Sequence, residues 1–451
     1  MIQRFINLLA IDKKDKNQKL FISPNSIFYL MSKITFAFKR LTKKRVGRLD
    51  KKWDFDAQSA ISSAPLVADI DGDNKKEIIF GTKKGRLYVL DMSAGIKWFY
   101  DSVEKVDEVE LMFLDVENVG SIEAPPNVGD INGDGKHEVV FGTELGMVYV
   151  LDDKGKLVWK YKAGGPIRGQ ILLYDLYGDD DVKVIFGCGD KKLYVLNSKG
   201  KLVWKFDAGS PVQSTPGILH KDEPKIIFGA DNGSIFCINK KGDTVWKYKT
   251  KDKVFAQPSV GKLFNDDRLF VVIGSSDHYL YVLDDAGELL WNYKTQGAIL
   301  AKACLADLNN DKKLEIVFGS CDNNVYALTS YGDKLWSYET DFWVASEPIV
   351  EDIDGDGKKE VVIGSYDHNV YVLDSEGSYV LDYVPGLSGV MHQAGHYTDI
   401  ITQEPGKVAG KKIWQFRTDG VIVGCAYIPD DKSIVVSTKP GKVDDVVHRK
   451  E

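Results

Sequence analysis

Short runs of β-branched and aromatic residues alternate along this chain with turns rich in glycine, asparagine and aspartate. One phrase recurs seven times. It reads FGTKKGRLYVLD from Phe80, FGTELGMVYVLD from Phe141, FGCGDKKLYVLN from Phe186 and FGADNGSIFCIN from Phe228. It continues as IGSSDHYLYVLD from Ile273, FGSCDNNVYALT from Phe318 and IGSYDHNVYVLD from Ile363. The phrase glycines, Gly81, Gly142, Gly187, Gly229, Gly274, Gly319 and Gly364, are separated by 61, 45, 42, 45, 45 and 45 residues. Runs this short, split by residues that tolerate positive φ, predict strands joined by hairpin turns.

Each unit divides into four strand-like pieces. In the seventh they begin with VASEPIVEDI from Val344, KEVVIG from Lys359 and NVYVLD from Asn369. The fourth piece centres on Trp in most units, at Trp159, Trp204, Trp246, Trp291 and Trp336. The first piece has its own register, with a branched anchor at Ile61, Ile122, Ile167, Val212, Val254, Ile299 and Val344. Two residues on, always small, stand Ser63, Ala124, Gly169, Ser214, Ala256, Ala301 and Ser346. Alternate residues of a strand share a face, so the small residues fit a crowded central axis. An eighth, weaker unit follows as VIVGCAYIP, SIVVST and a poor third piece, KPGKVDDVV. Its missing fourth piece is KKWDF around Trp53, at the other end of the chain.

A period near 45 residues with four strands per unit is the signature of a propeller blade. The fold expected is all-β: a β-propeller of eight four-stranded blades closed by an N-terminal strand, which leaves no free edge at the ring junction. The expected division is a basic, partly disordered extension over residues 1–49 and the propeller over 50–451. Two insertions break the period, one between Tyr100 and Ile122 and one at about 385–410.

Charge sharpens this division. Residues 1–52 hold 14 Lys/Arg against 3 Asp/Glu, whereas the rest holds 45 against 63. An acidic body argues against nucleic acid as a partner, because phosphate contacts need a basic surface. No run of 18 apolar residues suggests a transmembrane segment. Met31, opening MSKITFAFKRL, reads as a second plausible start. The five cysteines, Cys188, Cys237, Cys304, Cys321 and Cys425, show no CxxC spacing and read as buried free thiols. Free thiols point to a reducing compartment and so lean towards the cytoplasm; a monomer is expected.

Four loops between first and second pieces share one acidic pattern. Oxygen side chains fall at loop positions 1, 3, 5 and 9: Asp69, Asp71, Asp73 and Glu77; Asp130, Asn132, Asp134 and Glu138; Asp307, Asn309, Asp311 and Glu315; Asp352, Asp354, Asp356 and Glu360. Calcium takes six to eight oxygens in a flexible cage, and such loops supply them. Structural calcium is therefore expected in them. The loops DLYGDDDVK from Asp175 and KLFNDDRLF from Lys262 are degenerate copies. His392 and His396, four apart in the second insertion, lack a third ligand and a helix to carry them.

At VYVLD, the glycine turn and WKY, the chain resembles the repeat of pyrroloquinoline-quinone enzymes and their non-catalytic propeller relatives. The acidic loop followed by FG resembles the FG-GAP repeat of integrin α-subunit propellers, which implies calcium in the same loops. The turn LDDKGKLVW from Leu151 lacks the Thr of the quinone enzymes, and no adjacent cysteine pair occurs. No quinone cofactor and no catalytic residue is therefore expected.

The mouth of the channel is the expected binding face, because there the blades differ: Arg168, Gln213, Phe255, Lys302 and Trp343, with Glu123, Gln170, Gln257, Phe342 and Glu347 beside them. Variable side chains on a repeated frame suit recognition. The leading expectation is a non-catalytic scaffold that binds a protein or small ligand and uses calcium structurally. The alternatives are a propeller enzyme, either a quinone-dependent oxidoreductase or a calcium-dependent polysaccharide lyase, and a sugar- or peptide-binding propeller.

Overall fold

The computed structural model describes residues 48–102, 120–379 and 408–449. The basic extension up to residue 47, most of the first insertion, and His392 and His396 of the second lie outside those residues. Among the described residues there are 32 strands and no helix. They form eight four-stranded blades, each an antiparallel meander from the inner to the outer strand. Blade 1 consists of Leu66–Ala68, Glu77–Gly81, Arg86–Leu90 and Ile96–Asp101. Blades 2 to 7 follow at 127–162, 172–207, 217–249, 259–294, 304–339 and 349–417. Blade 8 takes Ile422–Ile428, Ser433–Thr438 and Lys442–Arg449 from the C-terminal end and Arg48–Asp56 from the N-terminal end. The closing strand thus begins at Arg48, and its Leu49 is buried.

The burial pattern explains why these sequences pair in this order. Second strands such as Glu138–Gly142 are buried along their whole length, as the continuous apolar runs require. Outer strands such as Leu157–Lys162 alternate exposed and half-buried positions, with Trp159 and Tyr161 turned inward. The inner strands are shorter than the sequence pattern suggests. Val344 and the other anchors lie in the lead-in, and pairing in blade 7 starts only at Ile349. A proline immediately precedes the inner strand in five blades (Pro65, Pro126, Pro216, Pro258 and Pro348), where it removes a ladder donor.

Blades are keyed together through the phrase glycines. A Cβ on Gly81 would stand 2.6 Å from Ile122 Cβ, and one on Gly142 would stand 2.8 Å from Ile167 Cβ. The same approach joins Gly187 to Val212, Gly229 to Val254, Gly274 to Ile299, Gly319 to Val344 and Gly364 to Ile422. At the first six of these junctions the anchor amide donates to the preceding blade, for example Ile122 N to Thr82 O at 3.1 Å and Ile299 N to Ser275 O at 3.1 Å. At the closing junction Ser437 takes the glycine's place and donates to Ser63 O at 2.9 Å.

A second key sits at the rim. In blades 1 to 6 the indole of the outer-strand tryptophan donates to a turn carbonyl of the next blade, as with Trp98 to Asp153 O at 3.0 Å, Trp159 to Ser198 O at 2.8 Å and Trp336 to Ser375 O at 2.9 Å. Trp53 does the same across the closure, to Met92 O at 2.9 Å. For Trp414 the equivalent turn would join strands from opposite ends of the chain. Its ring instead lies 4.2 Å from His448.

The third strand of blade 8 is complete, contrary to its poor pattern. The irregularity is chemical: Asp444 and Asp445 replace the Tyr-Val of the repeat and are buried. Lysines of the closing strand face them, with Lys51 Nζ 2.9 Å from Asp444 and Lys52 Nζ 3.6 Å from Asp445. Burial raises both carboxyl pKa values above the usual range, and the lysines only partly oppose it.

Two predictions follow from this packing. Gly81→Ala places a methyl against Ile122 and should cost about 1–3 kcal/mol in urea unfolding, as overpacking does. Asp445→Val restores the residue of the other blades, and Lys52 keeps Asp431 at 2.7 Å as a partner. The variant should therefore be more stable than wild type at neutral pH. A carboxyl whose pKa is raised by folding costs stability while ionised, and the cost fades as pH falls through that raised value. The advantage of Asp445→Val should therefore shrink on acidification, which paired melting curves across pH would show. An equal advantage at every pH would contradict it.

Candidate functional site

The lead-ins to the inner strands surround a central cavity of about 790 Å³. Arg168, Gln213, Phe255 and Lys302 all line it, as do Glu123, Gln170, Gln257 and Glu347. Trp343 does not line it and stands on the adjoining rim. The residues just after the anchors form a ring of two halves. Ser62, Glu123, Arg168 and Gln213 make a polar arc on blades 1 to 4, and Phe255, Leu300, Ala345 and Val423 an apolar arc on blades 5 to 8.

The polar arc is internally paired. Arg168 donates to both Glu144 oxygens at 2.5 and 3.1 Å and to Gln213 Oε1 at 3.1 Å. Gln213 in turn donates to Asp231 at 2.6 Å. Deeper in the channel Lys302 meets Glu347 at 2.9 Å. Cys304 and Cys425 also line the cavity, and burial pushes their thiols up to about 11 and about 12. Such thiols are poor nucleophiles at neutral pH. Cys188 and Cys237 are buried as expected, whereas Cys304, Cys321 and Cys425 are only half-buried.

The apolar arc continues onto the rim through an exposed aromatic platform. Phe342 and Trp343 are 47% and 45% exposed and stack at 5.3 Å. Tyr366 lies 6.3 Å from Trp343, with Lys439 Nζ 5.1 Å above the Tyr366 ring. The backbone needs none of these rings. The bonds that hold it, Tyr366 N to Trp343 O at 2.9 Å and Thr340 Oγ1 to Phe342 O at 2.6 Å, recur elsewhere as Cys321 N to Ala298 O at 2.9 Å and Thr295 Oγ1 to Gly297 O at 2.8 Å. Where blade 7 carries Phe342 and Trp343, blade 6 carries Gly297 and Ala298, and blade 3 carries Gly165 and Pro166. Tyr366 is legible only by aligning the turns of all the blades.

The acidic loops are preorganised turns. The first Asp of each accepts backbone amides within the loop: Asp69 from Gly72 and Asn74 at 2.8 and 2.9 Å, Asp130 from Gly133 and Gly135 at 2.7 and 2.9 Å, and Asp352 from Gly355 and Gly357 at 2.7 and 3.0 Å. In blade 6, Asp307 accepts from Asp311 and Lys312 at 3.1 and 2.9 Å. The ninth residue is a buried glutamate whose Oε2 accepts the second residue's amide: Glu77 from Ile70 at 3.0 Å, Glu138 from Ile131 at 2.8 Å, Glu315 from Leu308 at 2.8 Å and Glu360 from Ile353 at 2.9 Å. Ligand oxygens of Asp69, Asp71 and Glu77, and of Asp352, Asp354 and Asp356, lie within 4.8 Å of one another.

The loops then diverge. Asn132 donates to Glu138 Oε1 at 2.7 Å, and Asn309 to Glu315 Oε1 at 3.4 Å. Burial, with repulsion from the neighbouring aspartates, holds the Glu138 and Glu315 carboxyls above their ordinary range. In the degenerate blade 5 loop, Asp266 and Asp267 pair with Arg268 and Lys262.

The described helix-free fold offers no helix long and apolar enough to cross a membrane. The family described as the lambda-carrageenase beta-propeller domain matches residues 218–290 and 283–382, from blade 4 into blade 7. No curated protein matches the chain. Solved structures show its fold widely. BamB from Moraxella catarrhalis is 18% identical with a TM-score of 0.58, covering 88% of this chain and 99% of its own. A europium-containing methanol dehydrogenase is 14% identical with a TM-score of 0.60, covering 88% and 93%. A structure of BBS1N in complex with ARL6DN gives 12% identity and a TM-score of 0.50 over 89% and 97%. The chain is thus an eight-bladed β-propeller, alike in fold to these proteins and sharing a partial repeat match with the carrageenase propeller domain.

Proposed function

We propose that this propeller is a non-catalytic scaffold that recognises a protein partner at its channel mouth and carries structural calcium in its acidic loops. The observation that carries the recognition is the exposed pair Phe342 and Trp343, backed by the half-buried Tyr366, which the blade frame does not require. Aromatic anchors beside a polar arc suit a binding hot spot with a hydrogen-bonding rim. Arg168 and Lys302 of the channel are held in ion pairs with Glu144 and Glu347, and the channel thiols are raised, which favours binding over chemistry. A propeller of similar fold in complex with another protein agrees with this reading.

The donor chemistry supports calcium. Each loop offers hard oxygen ligands at the right spacing, and backbone amides already hold the first Asp in place. Asp130, Asp307 and Asp352 would lead the ligand sets, with the residues two, four and eight further on completing them. A bound ion there would neutralise crowded carboxylates and tie the first strand to the second.

The carrageenase match favours one second reading, a propeller that takes a polysaccharide chain at the same mouth. Aromatic rings stack on sugars as readily as on apolar side chains.

Two tests separate these readings. The double variant Phe342→Ala/Trp343→Ala should melt within about 2 °C of wild type, because exposed substitutions rarely exceed ~0.5 kcal/mol. In quantitative affinity capture it should lose at least one wild-type partner by tenfold or more. Retention of the same partners would remove the platform from recognition, and release of reducing ends from an added galactan by wild type would favour the polysaccharide reading. For the metal, calcium at a hundredfold excess over Kd should add about 2.7 kcal/mol per occupied site. Chelation should lower the wild-type Tm, and Asp354→Ala should narrow the gap between calcium and chelator. An unmoved melting curve after verified metal removal would end the structural-calcium reading.

A further inference from the structure

The blade 1 loop has a feature that its sequence alone does not show. In blade 1 an ammonium already stands in the carboxylate cage. Lys97 Nζ lies 2.7 Å from Asp71 Oδ2 and 2.7 Å from Glu77 Oε1. Glu77 is 1% exposed, so its charge is neutralised away from water. Lys97 comes from the outer strand, at the position just before Trp98. In blades 2, 6 and 7 that position is Val158, Leu335 and Ile413.

Two other blades do the same, one with a lysine of the loop itself and one with a lysine of the outer strand. In blade 3, Lys183 replaces the ninth-position glutamate and is buried. Its Nζ lies 3.2 Å from Asp179 and 2.9 Å from Asp181, and it also donates to the Asp181 carbonyl. In blade 8, Lys52, just before Trp53, reaches loop residue Asp431 at 2.7 Å. A lysine in the first-to-second-strand loop is therefore a recurrent solution with two sequence origins, the outer strand just before its tryptophan and the ninth loop position. A tethered ammonium needs no ion from solution, and it opposes a divalent cation both sterically and by charge.

We propose that Lys97 is the resident cation of the blade 1 loop and excludes calcium from it, so that Asp69, Asp71 and Glu77 form a metal site only when this lysine is removed. Lys183 plays the same part in blade 3. This rests on the calcium reading for the other loops but concerns a different residue. It makes blade 1, whose sequence pattern is among the most complete, a loop that does not respond to calcium.

The test uses the full chain and calcium alone as the probe. Lys97→Met keeps the length of the side chain and deletes its charge, and Lys97→Arg keeps the charge. Native mass spectrometry at saturating calcium should show one more ion on Lys97→Met than on wild type, and no extra ion on Lys97→Arg. In chelator, Lys97→Met should melt about 2 °C or more below wild type, because buried carboxylates lose their partner. Calcium should recover that loss. Equal, non-zero calcium counts for wild type and Lys97→Met would overturn the proposal. So would an unchanged melting temperature of Lys97→Met in chelator. If neither protein binds calcium, the metal reading fails for all loops. The chelator comparison then decides by itself whether Lys97 is the cation of its loop.

Discussion

A branched side chain of one blade occupies the space where a Cβ of the preceding blade would be, at seven junctions around the ring. Gly81 under Ile122 and Gly274 under Ile299 are two of them. This steric lock sets how closely consecutive blades approach, and the anchor amide's hydrogen bond to the preceding blade fixes the register. The same crowding explains the small residues two positions after each anchor. Wherever glycine meets a branched anchor, the inner ends of the blades converge, and the cavity they leave is lined by the residues between the lock and the inner strand. The proposed recognition surface is thus a by-product of the lock, since most of its side chains are carried by the same lead-ins.

Charge is managed blade by blade. The ring closes through a sheet in which two aspartates occupy apolar positions and lysines from the opposite end of the chain face them. Elsewhere, lysines enter acidic loops, or glutamates are buried against backbone amides. The outer strands stay partly apolar, with Val245, Leu289 and Leu290 exposed. Lysines on the same strands blunt these edges against strand addition. One outer edge is covered, since Ser337 of blade 6 pairs in parallel with Ala409 of blade 7. There Trp336 and Tyr338 become buried, unlike their counterparts Trp159 and Tyr161.

The sequence displays the blade count because second and third strands are continuous apolar runs punctuated by glycine turns. It misleads on the inner strands, where alternation continues past the point at which proline blocks pairing, as at Pro348. It understates the third strand of blade 8, because Asp444 and Asp445 hide the apolar pattern. Arg168, Gln213 and Phe255 stand out as lining residues because they vary at one register, just after the anchor, and Lys302 because it varies two residues further on. Trp343 does not line the cavity, because it precedes the anchor Val344 and does not follow it. The lysine in the blade 1 cage could not be read in advance. Lys97 lies twenty residues beyond Glu77, and only the meander brings a fourth strand back beside the loop that precedes the second.

The central claim is that recognition happens at the channel mouth and not at the ring's outer edge. Site-specific photo-crosslinking tests it most directly, with the reactive group placed at Ala345 on the mouth or at Val245 on an outer strand. Crosslinks to a partner from Ala345 and none from Val245 are the result this account predicts. The reverse pattern, with the partner captured at Val245 and the mouth silent, would contradict it.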